Sequence, residues 1–309
     1  MRKIEISLPP KSPDILALEL VDYSYFIYAT AILVLLLILG RKNSLILWHL
    51  SVNALFLAMA VSILYLNARR SSPVIFFCKL WYVPFLYVFL FEEMGQMIYL
   101  FRPVMFDPWI LSIENKVFGG YPTVWLQKMA SPVVTEVMSL FYMSYYFLIP
   151  VLGMNLYFRR ELDRLNDFIL TTSVTFFTCF LHYLAMPVAG PIFVPSVLPF
   201  DLVFLDGGPF TTFEQWLFFK GAIQGGAFPS SHVAVAVAVV YFAARYGKSP
   251  FAFAVTATGL AISTVYNGYH YGVDVLYGIA VGLAFSLLCP PINRAWKNRR
   301  NSVMQSRSS

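Results

Sequence analysis

Two histidines in the second half of the chain stand in short polar runs that could do chemistry. His232 ends a Pro-Ser-Ser-His run that begins at Pro229, and His270 begins a His-Tyr-Gly-Val-Asp run that ends at Asp274. One imidazole can attack a phosphorus atom while a second protonates the departing oxygen. The pair therefore indicates phosphoryl transfer, provided that the fold brings the two rings together.

The residues around the histidines suit an anion. Ser230 stands directly before an apolar helical run that it can cap, and with Ser231 it opens a first turn whose free N–H groups attract a phosphate. Asp274 follows His270 by four residues, so on one helix its carboxylate would accept the hydrogen bond of a ring nitrogen and orient the ring. Two histidines and an aspartate could also ligate zinc, but two serines at a helix start favour an anion. We therefore predict no metal and no cofactor.

The segment between the two runs explains how they could meet. Residues 233–265 are almost wholly apolar and are interrupted only by a polar turn at 245–250. The flanking pieces, 230–247 and 250–269, are 18 and 20 residues long. At a rise of about 1.5 Å per residue each spans roughly 27–30 Å, which is one hydrocarbon thickness. A hairpin of two membrane-spanning helices would return His270 to the side where His232 begins.

Composition places the whole chain in a membrane. Of its 309 residues 59% are hydrophobic and 12% are charged, and the apolar runs are long and continuous. This pattern predicts an all-α polytopic membrane bundle rather than a barrel. The net charge of +6 comes from basic residues in short turns and in the tail, and it predicts no nucleic-acid partner. About eight spans are expected, at residues 23–39, 45–67, 74–91 (extending up to 101), 133–158, 168–186, 230–245, 250–269 and 271–290.

These spans give a predicted domain organisation and orientation. Residues 1–22 would form a cytoplasmic tail, 23–132 transmembrane and interfacial helices, 133–290 a catalytic membrane core with an outer loop at 187–228, and 291–309 a basic cytoplasmic tail. The interfacial helices are expected at 107–132, and prolines at every fourth position from Pro187 indicate an ordered loop or a lid. Most basic turns share one side, with Arg41 and Lys42 dissenting. Both termini are therefore expected in the cytoplasm, and the histidines are expected to face the periplasm, the exterior or an organelle lumen.

The two polar runs resemble signatures of the type 2 phosphatidic acid phosphatase superfamily, one ending in Pro-Ser-Gly-His and the other containing His-x3-Asp. The resemblance covers roughly residues 183–287. It implies that His270 is the nucleophile that forms a phosphohistidine, that His232 is the general acid, and that Asp274 orients His270. It also implies that Ser230 and Ser231 help to hold the phosphate and that no metal is needed.

Two cations of the phosphatase signatures are missing. Arg102 is followed by proline as in the first signature, but Gly95 stands where a lysine is expected, and Thr264 replaces an arginine six residues before His270. A phosphate in a low-dielectric site needs charge compensation. Lys220 is the only Lys or Arg between Arg164 and Arg245. We therefore take Lys220 as the candidate replacement for binding phosphate.

In lacking these two cations, the chain resembles the inositol phosphorylceramide synthases and sphingomyelin synthases, which keep both histidines and the aspartate. The run from Met186 to Pro191, and Asp107 and Glu114 upstream, also resemble this branch. The resemblance implies transfer from a membrane lipid substrate to a lipid alcohol acceptor within the bilayer. A simple phosphatase acting on phosphatidic acid or isoprenoid (pyro)phosphates is the alternative. A lipid transporter or flippase, or an inactive binding homologue, would be a different class.

Overall fold

The computed structural model describes residues 18–39, 45–101, 104–203 and 205–308, and within these ranges the chain is helical without a named strand. It divides into two compact units, residues 1–90 and 91–309. The predicted all-α membrane class is confirmed. The helices are α1 (Leu20–Leu39), α2 (Ile46–Arg69), α3 (Pro73–Phe101), α4 (Asp107–Phe118), α5 (Pro122–Gln127), α6 (Pro132–Met143), α7 (Tyr145–Phe158), α8 (Leu162–Ala185), α9 (Pro209–Gly221), α10 (Ser231–Arg245), α11 (Pro250–Tyr266) and α12 (Gly272–Ser308).

The first unit contains α1, α2 and the start of α3, and several of its polar side chains are buried inside it. The Tyr82 hydroxyl donates to the buried Asp22 carboxylate over 2.8 Å, and Lys79 pairs with Glu19 at 3.0 Å. Large apolar side chains such as Ile27, 70% exposed, lie on the outside. Polar groups in lipid must be satisfied inside the protein, so this arrangement fits a membrane-embedded unit.

In the second unit, α8, α10 and α12 pack together around small residues. Ala234 of α10 is fully buried, and a Cβ at Gly282 of α12 would collide with its carbonyl oxygen. One turn earlier, a Cβ at Gly278 would lie 2.6 Å from the carbonyl oxygen of Ser230. The glycines therefore let two backbones touch, as membrane helix pairs require. This close approach holds the start of α10 against the start of α12.

The described part of the chain contains five helices that are long and apolar enough to cross a membrane: α1, α2, α3, α8 and α12. The bent pair of α6 and α7 makes a sixth if it counts as one span. The remaining predicted spans correspond to α10 and α11, which are apolar but only 15 and 17 residues long. The predicted total of eight spans therefore stays a prediction, as do the orientation and the cytoplasmic tails. Residues 1–17, and Arg41 and Lys42, lie outside the described residues.

One predicted span is broken. Residues 133–158 were expected to form a continuous helix, but α6 and α7 meet at an angle of 42°. At the break the Ser144 hydroxyl donates to the carbonyl oxygen of Phe141 over 2.5 Å. A side chain inserted into the backbone hydrogen-bond ladder is a common cause of a kink. The last predicted segment also differs in extent, because α12 continues through the basic tail to Ser308.

The segments predicted to lie beside the membrane are ordered. α4 and α5 occupy residues 107–127, in the passage expected to hold interfacial helices. The described residues of the 187–228 loop contain a 3-10 turn at Pro191–Phe193 and the helix α9. Val188 pairs with Gly226, because Val188 N–H donates to Gly225 and Ala227 N–H donates back to Val188. The two ends of this loop therefore lie side by side.

Candidate active site

Ser230 ties the start of α10 to the start of α12. Its hydroxyl accepts a hydrogen bond from the N–H of Val233 over 3.4 Å, which confirms the predicted helix cap. Its own N–H donates to the carbonyl oxygen of Asp274 over 3.2 Å. Ser230 and Ser231 are both buried. The first turn of α10 is thus fixed against the turn that carries the second histidine.

That second turn joins α11 to α12 and presents His270. The N–H groups of Tyr269 and His270 both donate to the carbonyl oxygen of Thr264, over 3.0 and 3.1 Å. Gly268 has a φ of 71°, a left-handed conformation that glycine adopts without strain. The chain therefore reverses tightly between the two helices, and Thr264 contributes its backbone to the reversal.

The two histidines lie in contact, as the hairpin of α10 and α11 predicts. His270 Nε2 is 3.4 Å from His232 Nδ1, and His270 Nδ1 is 2.8 Å from the carbonyl oxygen of Ala227. A carbonyl can only accept, so Nδ1 of His270 carries its hydrogen and Nε2 keeps a free lone pair. Burial lowers the pKa of His270 to about 4, which leaves the ring neutral at pH 7. The structure thus places the lone pair of a neutral imidazole beside a second imidazole, and the catalytic roles of the two histidines stay predictions.

The predicted bond between Asp274 and the His270 ring needs correction. Asp274 Oδ2 lies 3.6 Å from His270 Nδ1 and instead accepts the N–H of Tyr271 over 2.8 Å. The helical spacing argument fails because α12 begins at Gly272, after His270. The ring hydrogen bond goes to Ala227, so Asp274 shapes the turn and adds a nearby carboxylate rather than holding the ring directly.

Tyrosines surround His232. The Tyr142 hydroxyl is 3.5 Å from His232 Nε2, and the ring of Tyr145 lies 4.3 Å from the imidazole, centroid to centroid. Tyr142 also packs edge-on against Tyr269 at 5.0 Å. Tyr142 thus approaches Nε2 of His232, whereas His270 approaches Nδ1.

Asp107 at the start of α4 holds the backbone beside the turn that carries His270. Its carboxylate accepts the N–H groups of Ala189 and Gly190, over 2.9 and 3.0 Å, and the hydroxyl of Tyr271 over 2.9 Å. Ala189 follows Val188, the partner of Ala227, so this carboxylate indirectly positions the carbonyl that fixes His270. Sequence reasoning singled out Asp107 only through the family resemblance.

Glu114 lies two turns after Asp107 on the same face of α4, and it contacts the start of α12. It accepts the N–H of Val273 over 3.3 Å, and burial raises its pKa to about 8. This carboxyl is therefore largely protonated at pH 7 and adds little negative charge to the site. Together with Asp107 it fastens α4 to the turn that carries His270.

Glu214 of α9 is a buried group near the site that sequence reasoning missed. It accepts the Tyr269 hydroxyl over 2.8 Å, and burial raises its pKa to about 7. Tyr269 precedes His270 directly and stacks on Phe218 of α9 with centroids 3.6 Å apart. A glutamate inside the aromatic run from Phe213 to Phe219 was the available signal.

A cavity of about 70 Å³ opens beside the two histidines. The described residues that line it include no Lys or Arg; they are Phe91, Tyr142, Tyr146, Ala189, Phe193, Leu217, Phe218, Gly221, Ala222, Ile223, Gly226, Ala227, His232, Tyr269 and His270. Lys220 is exposed on α9 and does not line the cavity, so the structure does not bring it to the histidines. Arg102 and Pro103 lie outside the described residues.

The described residues contain no group of three or more His, Cys, Asp or Glu side chains arranged to hold a metal ion. Metal-independent chemistry stays a prediction.

Comparison with known proteins identifies the family. The family model described as PAP2 superfamily matches residues 108–288, which is more than half of the chain and includes both histidine runs. No curated protein and no solved structure matches the chain significantly. The chain therefore belongs to the PAP2 superfamily, and this membership supports a phosphatase-type membrane enzyme that acts on lipid phosphates.

Proposed function

We propose that this enzyme transfers a phosphoryl group from a membrane lipid phosphate ester through a phosphohistidine on His270, without a metal ion, and that its acceptor is a lipid hydroxyl. The observation that carries the proposal is the 3.4 Å contact between His270 Nε2 and His232 Nδ1. The hydrogen bond from His270 Nδ1 to the Ala227 carbonyl supports it, because it leaves Nε2 free to attack.

The first half-reaction forms a phosphorus–nitrogen bond. The lone pair on His270 Nε2 attacks phosphorus, the bond from phosphorus to the leaving oxygen breaks, and His232 gives that oxygen a proton. A contact of 3.4 Å leaves no room for phosphorus between the rings, so His232 must move outward when substrate binds. The negative charge of the bound phosphate stabilises the protonated form of His232.

The second half-reaction decides the product. His232, now neutral, takes the proton of an incoming hydroxyl, whose oxygen attacks phosphorus while the bond to His270 Nε2 breaks. Water as the attacking group would give a phosphatase, and a lipid alcohol would give a phosphotransferase. If the donor is a phosphodiester, its headgroup stays on phosphorus and moves with it.

The charge of the cavity favours a phosphodiester donor. No Lys or Arg stands among the described lining residues, so a phosphate would rely on the N-terminus of α10 and on the hydroxyls of Tyr142 and Tyr146. Such groups compensate one negative charge more readily than the two of a monoester. A diester donor with a lipid alcohol acceptor is the inositol phosphorylceramide synthase-like reaction, and hydrolysis of a monoester is the second candidate.

The test uses purified protein in lipid–detergent micelles with headgroup-labelled phosphatidylinositol or labelled phosphatidic acid. Each donor is offered alone, with ceramide, or with diacylglycerol. We expect a labelled phosphosphingolipid from the diester when ceramide is present. Free phosphate from phosphatidic acid as the only product, formed faster than any diester is consumed, would establish the simple phosphatase instead.

Histidine variants test the chemistry. His270→Ala should abolish turnover and labelling of the protein by the donor, whereas His182→Ala should leave both unchanged. His182 is a matched control because it bonds within α8 and to Tyr277, outside the lining of the cavity. Lipid movement that persists undiminished in His270→Ala protein would point to a transporter.

A further inference from the structure

A second, larger cavity lies at the far end of α10 from the histidines. It measures about 490 Å³ and runs between α7 and α11, beside the turn that joins α10 to α11. His232 is near the first residue of α10 and Lys248 lies just beyond its last. The 15 residues of α10 separate His232 from the Lys248 end of this groove by about 22 Å along the helix axis. The groove and the histidine cavity share no lining residue among those described, so they are separate cavities.

The groove has an apolar floor and apolar walls. Leu148 and Leu152 of α7 form the floor and are 3% and 0% exposed, while Phe147, Val151 and Phe253 stand along the sides. Its lining residues on α7 and at the two caps of that helix extend from residue 144 to residue 159, a helical length of about 22 Å. This length exceeds half of the roughly 30 Å hydrocarbon thickness, so the groove can hold one acyl chain lying along the bundle.

One end of the groove is cationic. Arg159 and Lys248 line this end together with Asn155 and Ser249. Lys248 pairs with Glu161 at 2.6 Å, and Arg159 is exposed and makes no ion pair within the described ranges. The positive end of the α11 dipole begins beside Ser249, whose side chain makes no cap hydrogen bond. A planar guanidinium, a hydroxyl and a helix N-terminus together suit a phosphate group.

We propose that this groove binds an anionic phospholipid, with one acyl chain along Leu148 and Leu152 and the headgroup phosphate at Arg159 and Ser249. An apolar channel that ends in uncompensated positive charge is complementary to both parts of such a lipid. A neutral lipid lacks the charge, and a free phosphate lacks the acyl chain. The distribution of basic residues predicts that this end faces the cytoplasm, and the ligand would then come from the leaflet opposite to the two histidines.

Thermal melting of the full chain in detergent micelles tests the proposal. Phosphatidylglycerol is the probe, phosphatidylcholine carries the same chains without net charge, and glycerol phosphate carries the headgroup without chains. Phosphatidylglycerol should raise the melting temperature, and the other two should leave it nearly unchanged. An equal rise with phosphatidylcholine, or with glycerol phosphate, would overturn the assignment.

Two variants locate the binding. Arg159→Gln should raise the phosphatidylglycerol concentration for half-maximal stabilisation about tenfold, with Arg159→Lys in between. Val151→Trp should fill the groove and remove the stabilisation, and native mass spectrometry should show loss of retained lipid. The controls are Arg245→Gln and Leu283→Trp, which change exposed residues outside the lining.

The comparison between arginine variants decides the outcome even if Val151→Trp fails to fold. Arg245 lies near the same end of the bundle, so Arg245→Gln removes a similar charge from outside the groove. All variants that fold should keep their basal turnover, because none touches the histidine cavity. Equal losses of lipid binding in Arg159→Gln and Arg245→Gln would show that binding depends only on the general surface charge, and this result would refute the proposed site.

Discussion

Replacing Glu214 by glutamine should remove a pH-dependent loss of stability beside the candidate active site. Glu214 is 1% exposed and accepts the Tyr269 hydroxyl over 2.8 Å, and burial raises its pKa from 4.5 to about 7. The neutral carboxyl is therefore favoured in the folded protein. Glutamine keeps an oxygen that can accept the same hydrogen bond and cannot ionise.

The size of the effect follows from the pKa. Because the pKa of Glu214 in the folded state lies above its pKa in the unfolded state, the contribution of the neutral carboxyl to folding stability is fully present below about pH 4.5. That contribution is lost as the pH rises to about 7. At about 1.4 kcal/mol for each unit of pKa, the loss amounts to about 3 kcal/mol and changes little above pH 7. The glutamine variant should lack this loss. Its stability relative to wild type should therefore increase from about pH 4.5 to about pH 7 and then stay level.

The assay is the melting temperature of purified protein in one detergent, measured in steps across that pH range. Asp201→Asn serves as the control, because Asp201 is an exposed carboxylate in the same loop. The control should follow wild type at every pH. If Glu214→Gln also melts in parallel with wild type from pH 5 to pH 8, then burial beside Tyr269 does not raise the pKa of Glu214, and the reasoning is refuted.

Three further outcomes follow from the geometry of the site. Gly278→Ala should destabilise the protein by about 1–3 kcal/mol and lower turnover, because the added Cβ would lie 2.6 Å from the Ser230 carbonyl oxygen. The control Ala280→Ser, on the exposed side of α12, should change neither stability nor turnover. Asp107→Asn should lower the free energy of unfolding by about 1–3 kcal/mol, because an amide NH2 would face backbone N–H donors. An unchanged melting temperature would contradict the role of Asp107 in holding this backbone. The acid limb of kcat/KM that reports His270 should fall near pH 4 rather than pH 6.5, because the neutral ring is the proposed nucleophile and burial disfavours its protonation; an acid limb with its inflection at pH 6.5 would argue against that burial.

The proposed function and the proposed lipid groove can fail independently. The first depends on His232 and His270, and the second depends on Arg159 and the apolar faces of α7 and α11. A phosphatase that never transfers to ceramide would still be free to bind phosphatidylglycerol at the other end of α10. Conversely, loss of lipid binding in the groove would leave the phosphohistidine proposal untouched.

The amino-acid sequence determined the class of the protein and the meeting of its two histidines. Helix rise and hydrocarbon thickness are constants, so two consecutive apolar runs with a basic turn between them bring their outer ends to one side. The cap at Ser230 was equally predictable, because it involves only a residue and the helix turn that follows it. Family signatures added the roles of the residues, which the geometry accommodates.

Tertiary structure decided which group holds each residue of the site. The partner of His270 Nδ1 is the carbonyl of Ala227, 43 residues earlier and positioned by a loop whose path no periodicity predicts. The same loop buries Glu214 beside Tyr269 and leaves Lys220 exposed, although both belong to one short helix. Local patterns specify helices and caps because those interactions span a few residues. Contacts between distant loop segments depend on how the whole chain packs, so only the folded structure could assign them.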